Sequence, residues 1–240
     1  MSDYYDMHCH ILFGVDDGPA SIEDAQTMLR MEYESGVRTV YLTPHYRKNL
    51  FECPMDVRLN HYALLRGWAQ TYLPGLTLYL GCELHVHMDM VNQLQSSPGL
   101  TLGDTDFVLL EFPVSADRRQ LIDHCHAVMS AGYRPVIAHA ERCERLRTDL
   151  MLLQRLVHMG VFIQMNCSSI IGENGLRWKW FCKRAMHRGL LHFVGSDAHN
   201  LTNLKPNLEK CARYLEKTMG AEYRDQILTR NPREIIEGSV

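Results

Sequence analysis

Short runs rich in β-branched and aromatic residues alternate with helical stretches along the whole chain, and few folds accept that order. The runs lie near Tyr4–His8, Arg38–Leu42, Thr77–Cys82, Asp106–Glu111, Arg134–His139, Val161–Met165 and His192–Gly195. Between them the pattern predicts helices over Ser21–Ser35, Asp56–Tyr72, Ala116–Ala131, Asp149–His158, Asn174–His187 and Leu208–Met219, with a last piece from Pro232 to Glu237. Gly36, Gly132, Gly160, Gly189 and Gly220 follow five of these helices and Pro74 another, as helix stops require. Thr148 and Asn231 stand where N-caps belong, and Asn49–Pro54 and Asn166–Glu173 read as loops. Alternation of this kind implies parallel βαβ units with right-handed crossovers. Seven passes suit an incomplete or distorted TIM-like barrel better than a doubly wound sheet. With no internal repeat, low-complexity tract or linker, residues 1–240 are expected to form a single α/β domain.

Composition removes several classes of function. The 25 Lys and Arg against 28 Asp and Glu give −3, which lacks the basic footprint of a nucleic-acid binder. No apolar run approaches a membrane span, and the start Met1-Ser2-Asp3-Tyr4-Tyr5-Asp6 is acidic, so a cytoplasmic protein without membrane insertion is expected. None of the eight cysteines has C-x-x-C spacing, and all are expected reduced. Cys182 and Arg188 have the spacing of a cysteine-nucleophile phosphatase loop, but the stretch between them lacks glycine and reads as helix. Serine-hydrolase elbows, P-loops and dinucleotide fingerprints are missing.

The chain holds thirteen histidines, and their positions carry the functional argument. His8 and His10 end the first strand, His45 the second, Glu83 the third, Glu111 the fourth and His139 the fifth, with Asp197 and His199 after the seventh. In an α/β barrel the C-terminal strand ends share one mouth, so these residues would converge there with Asp17 from the Gly14–Gly18 loop. So many imidazoles and carboxylates in one place favour bound dications, and more than one of them. A single H-x-H pair would be weak evidence. His124 and His126 fall inside a helix, where residues two apart do not share a face, and read as structural or surface groups. His85 and His87 read as solvated loop histidines, with pocket lining as the alternative, and Cys9 as a small packed residue on the far side of its strand.

The segments His8-Cys9-His10-Ile11-Leu12-Phe13-Gly14-Val15-Asp16-Asp17-Gly18, Thr43-Pro44-His45, Gly81-Cys82-Glu83, His139-Ala140-Glu141-Arg142 and Gly195-Ser196-Asp197-Ala198-His199-Asn200 resemble those of the PHP (polymerase and histidinol phosphatase) superfamily. The Val15-Asp16-Asp17-Gly18 turn is most similar to its branch of bacterial capsule and exopolysaccharide tyrosine phosphatases of CpsB/CapC type. The resemblance implies a distorted (β/α)7 barrel and three divalent metal ions, Mn2+ first with Fe or Zn as alternatives. It implies one site from His8, His10, Glu83 and Asp197, a second from Glu83, Glu111 and His139, and a third from Asp17, His45 and His199. Asp16 is the alternative to Asp17. It also implies phosphate binding by Arg142. Arg47 is a further candidate for the mouth. An arginine common in the family seven residues after Asp197 is replaced here by Leu204, and Lys205 follows as a candidate for the same charge.

The activity implied by the resemblance is that of a metal-dependent phosphomonoesterase acting on phosphotyrosine of a bacterial tyrosine kinase in polysaccharide export. Water activated by metal would attack phosphorus in line, Arg142 would stabilise the phosphoryl oxygens, and His199 or water would protonate the leaving group. The alternatives are a histidinol-phosphatase-like or other small-molecule phosphomonoesterase, and a non-catalytic metal-stabilised binding module. Oligomeric state is not read from the sequence.

Overall fold

A computed structural model describes residues 3–237. Strand β1 (Tyr4–Cys9) leads to helix α1 (Ile22–Glu34), then β2 (Val37–Leu42) and the two-residue β3 (His45–Tyr46). Helix α2 (Met55–Tyr72) is followed by β4 (Thr77–Leu80), β5 (Glu83–His85), α3 (Met90–Ser96), β6 (Phe107–Glu111), α4 (Arg118–Ser130) and β7 (Arg134–Ile137). After a 3-10 turn at Ala140–Arg142 come α5 (Glu144–Thr148), α6 (Leu150–His158), β8 (Phe162–Asn166), α7 (Cys167–Ile171), α8 (Leu176–His187) and β9 (Phe193–Gly195). Helices α9 (Leu208–Met219), α10 (Ala221–Asp225) and α11 (Asn231–Glu237) end the chain, with a π-helical turn at Gln226–Arg230 before the last.

All strand pairs are parallel, in two sheets of order β1-β2-β4 and β3-β5-β6-β7-β8-β9. The sheets are joined because β3 continues the course of β2 past Thr43-Pro44, and β5 continues that of β4 past Gly81-Cys82. Backbone bonds from Thr43 N to Cys9 O (2.9 Å), Gly81 N to Leu42 O (2.8 Å) and Glu83 N to Pro44 O (3.1 Å) carry the pairing across both breaks. At the other edge, Asp197 N donates to His8 O (2.8 Å) and His10 N to Ala198 O (2.9 Å), tying the segment after β9 to the end of β1. The result is a curled, distorted barrel of seven passes, as the alternation predicts.

Two apolar clusters fit this arrangement. Tyr5, Met7, Tyr41, Phe107, Leu109, Val136, Ala138 and Phe193 form one cluster on the strands' inner side. A larger one fills the space between the strands and the covering helices, with residues such as Val40, Leu42, Leu65, Ile137 and Leu152. Burying such area is the main favourable contribution to folding. No helix among the described residues is long and apolar enough to cross a membrane.

Several local expectations need correction. The strand expected over Thr77–Cys82 stops at Leu80, and Glu83 starts a new one. The Asn166–Glu173 loop contains helix α7, closed by Gly172 with φ 98°. Asp149, not Thr148, caps α6 by accepting from Leu152 N, while Thr148 turns its hydroxyl to carbonyls of α5. Cys182 lies inside α8, as expected, and all eight cysteines are free.

Candidate metal centre

A bulge in β1 decides which side chains reach the mouth. Tyr5 and Met7 point into the inner cluster, so strict alternation would turn His8 outward. Between Asp6 and Cys9, however, β1 advances three residues while β2 advances two, from Val40 to Leu42. That extra residue turns both His8 and His10 inward and leaves Cys9 packed outside, its Sγ donating to Tyr41 O. Glycines permit the close approach: a Cβ on Gly195 would sit 2.5 Å from His8 Cβ, and one on Gly18 would overlap the His10 carbonyl oxygen.

Four inward atoms form a compact set. His8 Nε2 lies 3.1 Å from His10 Nε2, 3.2 Å from Glu83 Oε2 and 3.7 Å from Asp197 Oδ1. His10 Nε2 lies 3.2 Å from the same Glu83 oxygen and 3.5 Å from the same Asp197 oxygen. Ligand bonds of about 2.0–2.2 Å to one small dication leave its donor atoms at separations of this size.

The far ring nitrogens show which atoms are free. His8 Nδ1 donates to Gln164 Oε1 (3.2 Å), His10 Nδ1 to Asp16 Oδ2 (2.8 Å) and His199 Nδ1 to Asp197 O (2.8 Å). Each ring thereby presents its Nε2 lone pair inward, the orientation of a metal-binding histidine. Two such lone pairs 3.1 Å apart at His8 and His10 repel each other unless a cation or a proton lies between. Glu83 Oε2, fully buried, has no hydrogen-bond partner although His45 Nδ1 lies 3.0 Å away. A dication fits this donor set.

Glu83 also faces the rest of the candidate ligands. Its Oε1 is 2.6 Å from His139 Nε2, and Glu111 lies beside His45, with 4.0 Å between Oε2 and Nδ1. His45, Glu83 and Glu111 form a second group able to hold an ion. Asp17 Oδ1 is 3.6 Å from both His45 Nε2 and His199 Nε2, and these three with His10 form another such group. Asp16 and Asp17 are told apart by their contacts. Asp16 accepts from His10, Gly18 N and His45 N, whereas Asp17 faces the open side of the cluster.

The electrostatics are those of a pocket that draws in positive charge. Burial works against ionised Glu83, but the His8 and His139 rings hold its carboxyl well below the usual range. Burial likewise opposes ionised Asp197, and the His10 contact and the Arg142 charge hold it well below normal. Burial disfavours charge on His8 and His10, yet Glu83 beside the first and Asp16 beside the second raise both above the ordinary imidazole value. His139 (φ 29°) and Asp197 (φ 54°) occupy the left-handed region, where non-glycine residues are strained, and such strain concentrates at functional sites.

Arg142 Nη2 donates to Asp197 Oδ2 at 2.6 Å, and the side chain lines a cleft with Arg47, His85, Glu111, Phe112, Val114 and His139. Lys205 lies elsewhere, in a polar recess bounded by Ser196, Asp197, Asn203 and Lys210. His85 is not a solvated loop residue: it sits on β5 and its Nδ1 donates to Glu111 Oε2 at 2.9 Å. His87 contacts Gln93, His126 is exposed on α4, and His124 on the same helix is half-buried with its ring edge-on to Phe112.

Two residues that the sequence did not single out organise the centre. Gln164 Oε1 accepts from His8 and from His139 N (2.6 Å), and its amide donates to Asn166 Oδ1 (2.9 Å). Asn166 Nδ2 then donates to Asp197 Oδ2 (2.6 Å). Both are fully buried on β8, and two polar residues two apart in an apolar strand were the available signal.

The description "Capsular polysaccharide synthesis, CpsB/CapC" belongs to the family whose pattern matches residues 4–237. The chain belongs to this family. The tyrosine-protein phosphatase CpsB of Streptococcus pneumoniae is 33% identical over 236 residues, 96% of this chain and 97% of its own. The tyrosine-protein phosphatase YwqE of Bacillus subtilis is 33% identical over 218 residues, 90% of this chain and 85% of its own. A crystal structure from work on YwqE and CpsB, described as metal-dependent tyrosine phosphatases, superimposes with a TM-score of 0.90 at 30% identity, covering 98% of this chain and 95% of the other. A histidinol phosphate phosphatase from Lactococcus lactis has a TM-score of 0.63 at 14% identity, covering 92% and 95%, and shares the fold.

Proposed function

We propose that this CpsB/CapC family member is a metal-dependent phosphomonoesterase that hydrolyses phosphotyrosine on a protein, with a bacterial tyrosine kinase of capsule or exopolysaccharide synthesis as the substrate. The observation that carries the reading is the set of inward ligand atoms around Glu83 Oε2, which has His8 Nε2, His10 Nε2 and His45 Nδ1 beside it and no hydrogen-bond partner among the described residues. We assign one site to His8, His10, Glu83 and Asp197, a second to Glu83, Glu111 and His139, and a third to Asp17, His45 and His199. Three ions of manganese type suit these mixed imidazole and carboxylate donors. Divalent ions supply Lewis acidity that lowers the pKa of water toward neutrality and offsets phosphoryl charge.

The protein's own groups do the rest. Arg142, at the edge of the cleft, presents a planar fork that suits two phosphoryl oxygens. Asn166 keeps Asp197 in place when Arg142 turns to substrate, because it holds the same oxygen. Of the two roles given to His199, ligand is the one its geometry supports. Its Nδ1 proton is tied to Asp197 O, and burial with the neighbouring His10 lowers its pKa, so it does not carry a spare proton. Tyrosine's pKa of about 10 makes the phenolate a fair leaving group, and solvent can supply the proton. Arg47 flanks the cleft as a second cation for the substrate, and Lys205 serves an outlying part of the peptide.

The test is phosphate release from a phosphotyrosyl peptide and from histidinol phosphate, side by side, by chelator-stripped protein before and after Mn2+ is restored. Restored turnover favouring the peptide is expected. Preference for histidinol phosphate would keep the metal centre and replace the substrate, and silence on both would overturn the enzymatic reading.

A further inference from the structure

Helix α8 is a strongly basic element in a chain whose net charge is −3. No Asp or Glu stands between Glu173 and Asp197, against Arg177, Lys179, Lys183, Arg184 and Arg188. The inner face of the helix, with Phe181, Cys182, Ala185 and Met186, is buried in the core. On the outer face Leu176 is 69% exposed and Trp180 62% exposed, and exposed Arg184 follows them at the same spacing of four residues. The three therefore form one row along about 12 Å of helix. Exposed Arg177 and Arg188 flank the row, and Lys183 Nζ lies 5.8 Å from the centre of the Trp180 ring.

The charges on this face are not neutralised. Among the described residues no carboxylate lies within ion-pair distance of Arg177, Lys183, Arg184 or Arg188. Exposed Arg119, Arg145 and Arg213, by contrast, each pair with an acid four residues away. Large apolar side chains left in water among unpaired cations are the composition of a helix face at an anionic lipid interface, where an indole ring sits at headgroup level and basic side chains reach the phosphates. A peptide is gripped in a groove or along a sheet edge, and an outward helix row is neither.

We infer that the outer face of α8 binds the surface of an anionic phospholipid bilayer, with Trp180 and Leu176 at headgroup level and Arg177, Lys183, Arg184 and Arg188 on lipid phosphates. The attachment is peripheral, since α8 keeps its other face in the core. On the same helix, Trp178 faces the Arg147 guanidinium, whose Nη1 donates to the carbonyls of Glu141 (3.0 Å) and Arg142 (3.1 Å). These contacts brace α8 on the turn that carries Arg142. The patch shares no residue with the metal centre, and lipid binding does not depend on catalysis there.

The test is co-sedimentation of the full chain with vesicles of phosphatidylcholine containing about 30% phosphatidylglycerol, and with vesicles of phosphatidylcholine alone, at low ionic strength and in about 0.5 M salt. Binding to the anionic vesicles only, weakened by salt, is the expected result. Arg177→Gln combined with Arg184→Gln should weaken it by about 25-fold, from about fivefold for each cation near an anionic surface. Trp180→Ala should weaken it by about tenfold, the worth of about 60 Å2 of apolar surface leaving water. Arg119→Gln combined with Arg213→Gln removes the same charge from other helices and should leave binding unchanged. All five side chains are exposed, so the variants keep the fold. Turnover of a soluble phosphotyrosyl peptide should be equal in all of them, which separates a failure of lipid binding from a failure of the phosphatase reading. Absence of vesicle binding, or binding that survives the α8 changes, would overturn the lipid assignment. Self-association lost in Trp180→Ala on analytical ultracentrifugation would give the face to a second copy of the chain, and binding of polyglutamate without binding of vesicles would give it to an acidic protein segment; either would overturn it too.

Discussion

Arg142 Nη2 and Asn166 Nδ2 both donate to Asp197 Oδ2, each at 2.6 Å. Arg142 can therefore leave Asp197 for a phosphoryl group without stripping that oxygen of its last partner. Arg142→Lys keeps the charge and loses the fork. Its kcat/KM on a phosphotyrosyl peptide should fall by about 10–100-fold, the worth of a hydrogen bond to a charged group, with Mn2+ affinity unchanged. Unaltered peptide kinetics would remove Arg142 from substrate binding.

Metal binding should be visible in stability. A ligand at about 100 times its Kd stabilises the fold by about 2.7 kcal/mol, or several degrees in Tm for a chain of this size. Glu83, whose oxygens lie within 3.2 Å of His8, His10, His45 and His139, is the residue on which this depends most. Glu83→Gln should abolish both the Mn2+-dependent rise in Tm and turnover, as differential scanning calorimetry and phosphate release will show.

The close approach of backbone to ligand leaves no room for a methyl group at Gly195, where a Cβ would meet His8 Cβ at 2.5 Å and His8 O at 2.9 Å. Gly195→Ala should cost about 1–3 kcal/mol by overpacking and weaken Mn2+ binding with it. Denaturant unfolding and metal titration of the same preparation test both effects.

His192 gives a signed pH dependence. Its Nδ1 accepts from Ile163 N, its ring meets Phe162 and Phe193, and burial pulls its pKa down to about 4. Between that value and the ordinary 6.5 the unfolded chain binds the proton and the folded one does not, so stability rises with pH across the window and is lost as pH falls through it. The full effect is about 3 kcal/mol. Urea unfolding at pH 7 and pH 4 should show a smaller difference for His192→Gln than for the native chain.

Cys182 is not a nucleophile. It is buried inside α8, and burial pushes its thiol well above the usual value. Cys182→Ala should retain Mn2+-dependent turnover, and thiol alkylation of the folded protein should leave the rate unchanged. Loss of activity on either treatment with the fold intact would reopen the cysteinyl route.

The seven strand passes, the longer helices between them and the gathering of His8, His10, His45, Glu83, Glu111, His139, Asp197 and His199 at one end are legible in the unfolded chain, because they follow from local periodicity and from the rule that parallel strands share a C-terminal face, whereas the short helices α3, α5, α7 and α10 are not. Which way those side chains point is settled by long-range pairing alone. The bulge that turns His8 inward is a difference in advance between β1 and β2, and it exists only when the two strands pair. The breaks after Leu42 and Leu80 that make His45 and Glu83 neighbours, with their Cα atoms paired, likewise exist only in the assembled sheet. Asp16 and Asp17 are adjacent in sequence and chemically alike. His10 Nδ1 and His45 N select one to orient ligands, while His45 and His199 face the other. Gln164 and Asn166 were hidden for the same reason. A buried polar side chain is interpretable only through its partner, and these partners lie far along the chain, brought into contact by closure of the barrel.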